Sequence, residues 1–535
     1  MHDLSTLLSG GYASTAHLKL TTPLPSGLLP PAILALGATL THLDLSGTGL
    51  SSLPSNFGSS LPHLRILFLS SNNFTAFPSV LAQCPSLEMI AFRSNGMTSI
   101  PEGALPTKTL RWLILTDNRI EKLPEDLGQC EKLEKCMLAG NRLSSLPASM
   151  GEGCKKLALL RLSANRFESL PGWLFTDLPK LAFLSFAGNP CVEEQTSAAT
   201  AKAGRRFDLE RIEWRNLEVQ EPPLGEGASG VISRGLWKQS EEYAEEVAIK
   251  VFKGGVTSDG TPKDEMAAVL AAEFHEGLIT VLGRVVGHPD EVVVEGGEGG
   301  AAAEGEQEEE EEEEDVKKKK KFQGGIVMQL IPEYYSALGL PPSFDTCSRD
   351  CFPEDASLSA AEALGMLTGI AGAAAHLHQR GIAHGDLYAH NILASKADRH
   401  ALLGDFGAAT IYGTDDEVYA GMEKLEVLAF AHLLEDVLGL IRREKEKKES
   451  ATQTPEAETA IVVVANGAAP PAAFRDSSEL TEEEEEAIVQ GLEKLHKQCA
   501  DAQVGSRPSF EDIAVELEDL VGFRGMMRIP IPNLN

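Results

Sequence analysis

The sequence has 535 residues, of which 43% are apolar, and a formal net charge of −32 at pH 7. This length predicts roughly two to four domains with ordinary apolar cores. Because an acidic surface repels phosphate backbones, the charge excludes nucleic acid as an expected partner. No window approaches roughly eighteen uncharged apolar residues, so we expect no membrane-spanning helix, and residues 1–20 lack the pattern of a signal peptide.

The first predicted element is a unit of 23 or 24 residues that is present in seven copies. Each copy begins with a leucine and places apolar residues at i, i+3 and i+5, and six copies carry an asparagine eight residues after that leucine. One unit cannot bury its apolar edge alone, so stacked copies share a core, in which inward asparagines satisfy backbone groups of the turns. The leucines are Leu40, Leu64, Leu87, Leu110, Leu133, Leu157 and Leu181, and the asparagines are Asn72, Asn95, Asn118, Asn141, Asn165 and Asn189.

This pattern resembles the leucine-rich-repeat family, which implies an α/β solenoid over 16–190 and a protein ligand on its concave strand face. Residues 16–39 look like a degenerate N-terminal cap, and Thr48 stands where the first repeat should have asparagine. A polar linker is predicted at 191–206. The eight cysteines form no short disulfide framework, so we expect reduced thiols and a cytoplasmic location.

From residue 207 to about 525, short β-like runs are followed by long helical patterns rich in alanine and leucine. Two low-complexity tracts interrupt this half, at about 291–322 and 443–476. We expect both tracts to be solvated loops, because such compositions bury too little apolar surface to offset the entropy of ordering.

A glycine-rich segment opens this half, with Gly225, Gly227 and Gly230 in the spacing G-x-G-x-x-G between β-favouring residues. The triplet alone is a weak signal. However, Val-Ala-Ile-Lys follows and ends at Lys250, twenty residues after the third glycine. A glycine turn between strands lets backbone N–H groups approach phosphates, and a lysine on the next strand can reach them too.

Lys250 needs an orienting carboxylate, because an unpaired buried ammonium group is costly. Glu265, fifteen residues further on in a helical stretch, is the first candidate, and Glu273 is the alternative if that helix is longer.

A buried strand is predicted over 326–330, where the chain passes between two lobes. Met328 is expected to border an adenine pocket, with Gln329 and Leu330 offering backbone hydrogen bonds. A plain core strand is compatible with the same residues.

The most informative segment is His-Gly-Asp-Leu-Tyr-Ala-His-Asn, which places Asp386 five residues before Asn391. Asp-Phe-Gly begins at Asp405, nineteen residues after Asp386. Phosphoryl transfer needs a carboxylate that orients the attacking hydroxyl and oxygen ligands for Mg²⁺. Asp386 suits the first role, and Asn391 with Asp405 suits the second. The preceding helix has one apolar face, formed by Leu364, Leu367, Ile370, Ala374 and Leu377.

These motifs, in this order and spacing, resemble the protein-kinase family over 207–525 apart from the two tracts. The resemblance implies an α+β bilobal domain that binds ATP and Mg²⁺ and acts on a protein substrate. Residues 505–510, Gly-Ser-Arg-Pro-Ser-Phe, resemble a segment of the tyrosine-kinase-like group.

Several positions depart from the family pattern. Gly385 replaces the arginine that contacts a phosphorylated activation segment, so that contact is not expected here. Tyr388 stands where Ser/Thr kinases have a phosphate-neutralising lysine, and His390 stands where some tyrosine kinases have arginine. Losing such an electrostatic contact lowers the rate by roughly 10²–10³-fold, so we expect slow catalysis.

The activation segment is also short, because only 21 residues separate Asp405 from Glu426, where the next helix of the family pattern begins. Glu426 replaces the usual aspartate that braces the catalytic loop, and Glu423 is expected to pair with Arg507. The sequence thus favours an atypical ATP-dependent protein kinase that acts on Ser/Thr hydroxyls. The alternative is an ATP-binding pseudokinase scaffold.

Overall fold

The computed structural model describes residues 2–206, 210–227, 229–253, 255–289, 322–413, 421–453 and 480–522. They form a solenoid and a two-lobed domain that pack against each other. The first low-complexity tract lies outside the described residues except for its last residue, and so does the second tract from residue 454 onward.

Eight short parallel strands line the concave face of the solenoid, and each pairs in register with the next. The middle residue of every strand is buried in the shared core, as the apolar spacing predicts. Seven strands belong to the seven predicted copies, and the additional strand, His17–Lys19, comes from the segment predicted as a degenerate cap. The strands are β1 His17–Lys19, β2 His42–Asp44, β3 Ile66–Phe68, β4 Met89–Ala91, β5 Trp112–Ile114, β6 Lys135–Met137, β7 Leu159–Arg161 and β8 Phe183–Ser185.

The asparagines form a ladder between coils, which confirms the prediction. Asn141 is typical: its Nδ2 donates to the carbonyls of Leu115 and Leu138, both at 2.9 Å, and its Oδ1 accepts from the Ile120 N–H at 3.1 Å. In the first repeat Thr48 keeps part of this pattern, since its hydroxyl donates to the Leu45 carbonyl at 2.7 Å.

Short helical turns form the opposite side of the solenoid, and a longer helix follows it. The predicted linker is helical, because its alanine, glutamate and lysine residues favour helix. The helices are α1 Leu4–Leu8, α2 Pro31–Leu34, α3 Phe57–Ser60, α4 Ser149–Gly153, α5 Trp173–Thr176 and α6 Glu193–Arg206, with 3₁₀ turns at Ser79–Gln83 and Glu125–Gln129.

The smaller lobe is a twisted sheet with one helix packed on it. The strand order is β10-β12-β13-β15-β14-β9, and β11 pairs with β12 as a hairpin. The elements are β9 Glu210–Glu213, β10 Leu217–Val219, β11 Gly225–Glu226, β12 Gly230–Lys238, β13 Ala244–Lys253, α7 Pro262–Ala272, β14 Val281–Val286 and β15 Phe322–Gln329.

The larger lobe is mainly helical, and short strand pairs in it carry the predicted site. Its elements are β16 Ser336–Ala337, α8 Ala360–His378, β17 Ile382–Ala383, β18 Ile392–Ser395, β19 His400–Leu403, β20 Thr410–Ile411, α9 Met422–Gln453, α10 Glu482–Cys499 and α11 Phe510–Gly522.

Helix α8 is the core helix of this lobe, and all five residues of its predicted apolar face are buried. Within the described ranges it is the one helix long and apolar enough to cross a membrane by length and composition, but 61% of that stretch is buried inside the protein.

One expectation for the larger lobe is wrong. Residues 443–453, predicted as the start of a solvated loop, continue helix α9 to Gln453. The lysine, glutamate and alanine residues of this stretch have high helix propensity, and the buried first half of the helix supplies a nucleus for it.

The concave face of the solenoid contacts the two-lobed domain. The Trp112 indole N–H donates to Cys347 Sγ at 2.9 Å, and the Phe186 N–H donates to Thr410 Oγ1 at 3.1 Å. Leu159 and Phe183 belong to the same buried apolar cluster as helix α8. Ile66 on β3 and Met89 on β4 are buried in one cluster with Trp112 and Cys347. The strand face predicted to bind a protein ligand is therefore largely covered from β3 to β8, whereas His17 and Lys19 on β1 are exposed.

Candidate functional site

A cavity of about 700 Å³ lies between the two lobes. Met328 on the strand preceding the lobe linker lines it, as predicted, but four other predicted site residues are not among its lining residues, namely Gly225, Leu330, Asp386 and Asn391. Gly225 is held in the β11–β12 ladder opposite Ile232, and Leu330 lies beyond the end of β15. The predicted residues that do line the cavity are Gly227, Gly230, Lys250, Glu265, Met328 and Asp405.

The glycine-rich segment forms the tip of a β-hairpin above this cavity. The Gly227 N–H donates to the Gly230 carbonyl at 2.9 Å, which closes the turn between β11 and β12. Lys253 holds the turn from outside, because its ammonium group donates to the Gly227 carbonyl at 3.1 Å. The hairpin thus brings backbone next to the cavity without a Cβ at either glycine, which suits the approach of a phosphate group.

Lys250 and Glu265 form a buried ion pair on the cavity wall. The Lys250 Nζ donates to Glu265 Oε1 and also lies 3.8 Å from Asp405 Oδ1. Burial raises the pKa of Glu265, while the charge of Lys250 acts against that shift. Thr261 caps α7 by accepting the Asp264 N–H at 3.2 Å, which sets the helix start that points Glu265 inward. Three distant segments therefore bring one cation and two carboxylates together.

The alternative partner, Glu273, has a different role. It lines the same cavity but follows the end of α7, with φ at 57°, and its carboxylate accepts from Arg380 at 3.2 Å. The structure thus pairs Lys250 with Glu265.

The segment 384–391, here called the catalytic loop, holds Asp386 beside Asn391. The Asn391 amide N–H group donates to Asp386 Oδ2 at 2.8 Å and to the Asp386 carbonyl at 2.9 Å. Glu426 braces the loop as predicted, by accepting the N–H groups of His384 at 3.1 Å and Gly385 at 2.6 Å. Burial acts to raise the pKa of Glu426, but hydrogen bonding and charge from His378, the charge of His384 and the Gly385 N–H together outweigh burial and lower the pKa.

Asp405 adopts a left-handed conformation at the edge of the cavity, with φ 55° and ψ 84°. Its carboxylate accepts the Gly407 N–H at 3.2 Å, and 52% of the side chain remains exposed. A non-glycine residue in this region of φ/ψ space carries a backbone cost that is often found at functional sites.

Asn391 and Asp405 fit a magnesium ion that would take its remaining ligands from nucleotide phosphates and water. Because Asn391 uses its nitrogen on Asp386, its Oδ1 is the atom left for a cation, and Asp405 offers an exposed carboxylate. In the ranges that the structure covers, no group of three or more His, Cys, Asp or Glu could hold a metal. Magnesium does not require one, since it commonly keeps waters and phosphate oxygens among its six ligands.

Sequence reasoning missed Arg161 and Asp259. Arg161, on strand β7 of the solenoid, donates to Asp386 Oδ1 and, at 2.7 Å, to the Gly385 carbonyl, and its Nε lies 2.9 Å from Asp259 Oδ1. The one feature of the sequence that could have indicated Arg161 is its basic side chain at that position of the repeat. No other copy has a basic residue four positions after its first leucine, where this copy has Arg161.

The expected pair of Glu423 and Arg507 is wrong. Glu423 accepts the Phe510 N–H at 2.7 Å and thereby caps α11. Arg507 instead donates to the carbonyls of Lys424 at 2.8 Å and Pro179 at 2.9 Å. Because the end of the solenoid and the first turn of helix α9 both lie close to Arg507, the carbonyls of Pro179 and Lys424 take the place of a carboxylate. Burial lowers the pKa of Arg507 to about 10.

A glycine hairpin over a lobe cleft, a buried Lys–Glu pair and an Asp–Asn loop define the fold as that of a protein kinase domain, placed here after a leucine-rich-repeat solenoid. Comparison with family models agrees. Residues 218–431 match protein tyrosine and serine/threonine kinases, and residues 38–97 and 131–190 match leucine-rich repeats. The chain therefore combines leucine-rich repeats with a protein kinase domain.

A search of curated proteins gave no significant match. Among solved structures, the chain is similar to a leucine-rich-repeat protein of Leptospira interrogans, with 29% sequence identity and a TM-score of 0.29. The similarity covers 32% of this chain and 47% of that protein.

Proposed function

We propose that this chain is an ATP-dependent protein kinase of the cytoplasm that transfers the γ-phosphate to Ser or Thr hydroxyls. The observation that carries the proposal is the convergence of Lys250, Glu265 and Asp405 at one cavity, beside a loop that presents Asp386. The choice of Ser/Thr over Tyr rests on the resemblance of residues 505–510 to the tyrosine-kinase-like group.

In this proposal each residue has one task. Lys250, oriented by Glu265, contacts the phosphates of ATP below the glycine hairpin. Asp386 accepts the proton of the substrate hydroxyl as its oxygen attacks the γ-phosphorus, and ADP leaves. Asn391 and Asp405 hold Mg²⁺, which supplies positive charge to the phosphate oxygens.

The repeats are proposed to bind a protein partner, but through a smaller surface than the sequence indicated. Strands β3 to β8 face the kinase domain, so the free part of the concave face lies at its N-terminal end, on β1 and β2. There His17 stacks on His42 with ring centroids 3.9 Å apart, and Lys19 lies 2.8 Å from Asp44.

The test compares wild type with Asp386→Asn in a radioactive γ-phosphate transfer assay on a mixed Ser/Thr substrate and on a tyrosine copolymer. Loss of a general base lowers the rate by roughly 10²–10⁴-fold. We expect wild type to label the Ser/Thr substrate and the variant to lose that activity while calorimetry still detects Mg-ATP binding.

The second candidate is a pseudokinase scaffold, which is favoured by the burial of Tyr388 and by the contact of Arg161 with Asp386. It predicts Mg-ATP binding with no difference in transfer between the two proteins. That result would refute the kinase proposal.

A further inference from the structure

Both positions in the catalytic loop where kinases carry a cation are engaged elsewhere. Tyr388 is buried and stacks flat on Phe183 of the solenoid, with ring centroids 4.0 Å apart and planes 7° apart. His390 forms an ion pair with Asp350 at 2.7 Å. The hydroxyl of Tyr388 has no hydrogen-bond partner among the described residues. Among the described residues, therefore, neither side chain donates a hydrogen bond to the Asp386 carboxylate.

The cation that contacts Asp386 comes from the repeats. Arg161 is buried, with 2% of its side chain exposed, and its guanidinium group binds Asp386, Gly385 and Asp259 together. With Asn391 on Oδ2 and Arg161 on Oδ1, both oxygens of the Asp386 carboxylate are fixed. Asp386 itself stays 20% exposed, so it remains reachable.

The kinase domain is shaped for this contact. Gly385 has φ at +74°, and a Cβ there would lie 2.5 Å from the Ala408 carbonyl oxygen and 3.2 Å from that of Leu184 in the solenoid. An arginine, the usual family residue, has no room at this position. On the solenoid side, a Cβ on Gly140 would lie 2.7 Å from Val256 of the kinase domain. The departures from the kinase pattern thus coincide with the surface where the repeats dock.

We propose that Arg161 is a positioning residue of the kinase site, supplied by the leucine-rich repeats in place of the direct contact with Asp386 that neither Tyr388 nor His390 makes. The inference rests on the proposed kinase function. Arg161 acts through Asp386, because its guanidinium group holds the Asp386 carboxylate in one orientation. The solenoid is then part of the catalytic unit and not only a recruitment module.

The test uses the full chain with Arg161→Gln and Arg161→Lys, and measures kcat and KM for ATP in the γ-phosphate transfer assay. Removing one preorganised electrostatic contact lowers the rate by roughly 10²–10³-fold. We expect Arg161→Gln to lose about 10²-fold in kcat with little change in KM for ATP. Arg161→Lys keeps the positive charge but lacks the planar set of N–H donors of a guanidinium group, so we expect it to retain part of the wild-type kcat.

The matched control is Arg93→Gln. Arg93 also lies on the solenoid and donates to the kinase domain, at the Val256 carbonyl 3.3 Å away, but it is far in sequence from the copy that contacts the catalytic loop. We expect this control to keep the wild-type kcat. A similar loss in Arg93→Gln indicates that interface stability alone is being measured, and overturns the inference.

A double variant separates positioning from folding. If Arg161 acts through Asp386, the combination of Arg161→Gln with Asp386→Asn is no slower than Asp386→Asn alone. Thermal unfolding shows whether Arg161→Gln folds. If it does not, Arg161→Lys is the test variant. Because its charge is misaligned, we expect its kcat to be roughly 3-fold to 30-fold below that of wild type.

Three further outcomes overturn the inference. A kcat that is unchanged in both Arg161 variants removes any role for the side chain. A kcat that rises means that Arg161 blocks the site. If wild type transfers no more phosphate than Asp386→Asn, the proposed kinase function fails first, and this inference fails with it.

Discussion

The ion pair between Lys250 and Glu265 offers the sharpest test of the phosphate site, through the substitution Glu265→Gln. Both side chains are buried, with 7% and 3% exposed. Breaking a buried pair by neutralising one partner costs about 3–5 kcal/mol, because the other charge is left without compensation. Lys250 retains a second carboxylate, since Asp405 lies 3.8 Å away.

That second carboxylate limits the loss of stability. Two unit charges 3.8 Å apart attract by about 4 kcal/mol at an effective dielectric constant of 20. Because the Asp405 side chain is 52% exposed, water screens most of this attraction and leaves roughly 1 kcal/mol. We therefore expect Glu265→Gln to lower the free energy of unfolding by about 2–4 kcal/mol.

The effect on activity is expected to be larger than the effect on folding. Lys250 turns toward Asp405 once Glu265 is neutral, and displacement by about 1 Å lowers the rate roughly 10²-fold. The assay is γ-phosphate transfer at saturating Mg-ATP, together with chemical denaturation of the same preparation.

Glu273→Gln is the matched control, because it makes the same chemical change on the same cavity wall at a residue paired with Arg380. We expect it to keep kcat within a few-fold of wild type. The reasoning is refuted if Glu273→Gln loses activity as Glu265→Gln should, or if Glu265→Gln is as active as wild type.

Two further predictions concern stability. Burial acts to lower the pKa of His390, but hydrogen bonding and charge from Asp350, with the charges of Asp386 and Asp405, together outweigh burial and raise the pKa above 6.5. The folded state therefore binds more protons than the unfolded state. The contribution of this pair is thus complete below about pH 6.5 and is lost as pH rises through the folded pKa. The measurement is the unfolding midpoint of wild type and of His390→Gln from pH 5.5 to 8.5. The difference between the two midpoints should become smaller as pH rises. A flat or rising difference contradicts the raised pKa of His390. In the solenoid, Asn141→Ala leaves two carbonyls and one N–H without their partner, which should cost roughly 3 kcal/mol in denaturant unfolding, whereas the exposed Asn73→Ala should cost well under 1 kcal/mol.

Much of the architecture can be predicted from the sequence, because it depends on the spacing of residues that are close together in the chain. A strand with apolar residues at i, i+3 and i+5 followed by an asparagine has one way to bury itself, which is to stack on its neighbour. The motifs of the kinase domain are similarly local, so Asp386, Asn391 and Asp405 could each be proposed as site residues from a few adjacent residues. The contact between Lys250 and Glu265 was also predicted, and it forms because α7, capped by Thr261, turns Glu265 inward.

What the sequence could not indicate are contacts between segments that no local pattern relates. Glu423 accepts the Phe510 N–H and does not pair with Arg507, because that arginine instead donates to the carbonyl of Pro179 in the solenoid and to that of Lys424 in α9. Arg161 lies 225 residues before Asp386, and only the packing of the concave face on the catalytic loop brings them together. A local motif can specify which residues a kinase site needs, but the position of one domain on another is a property of complementary surfaces. It is the tertiary structure that brings the guanidinium group of Arg161 into contact with Asp386.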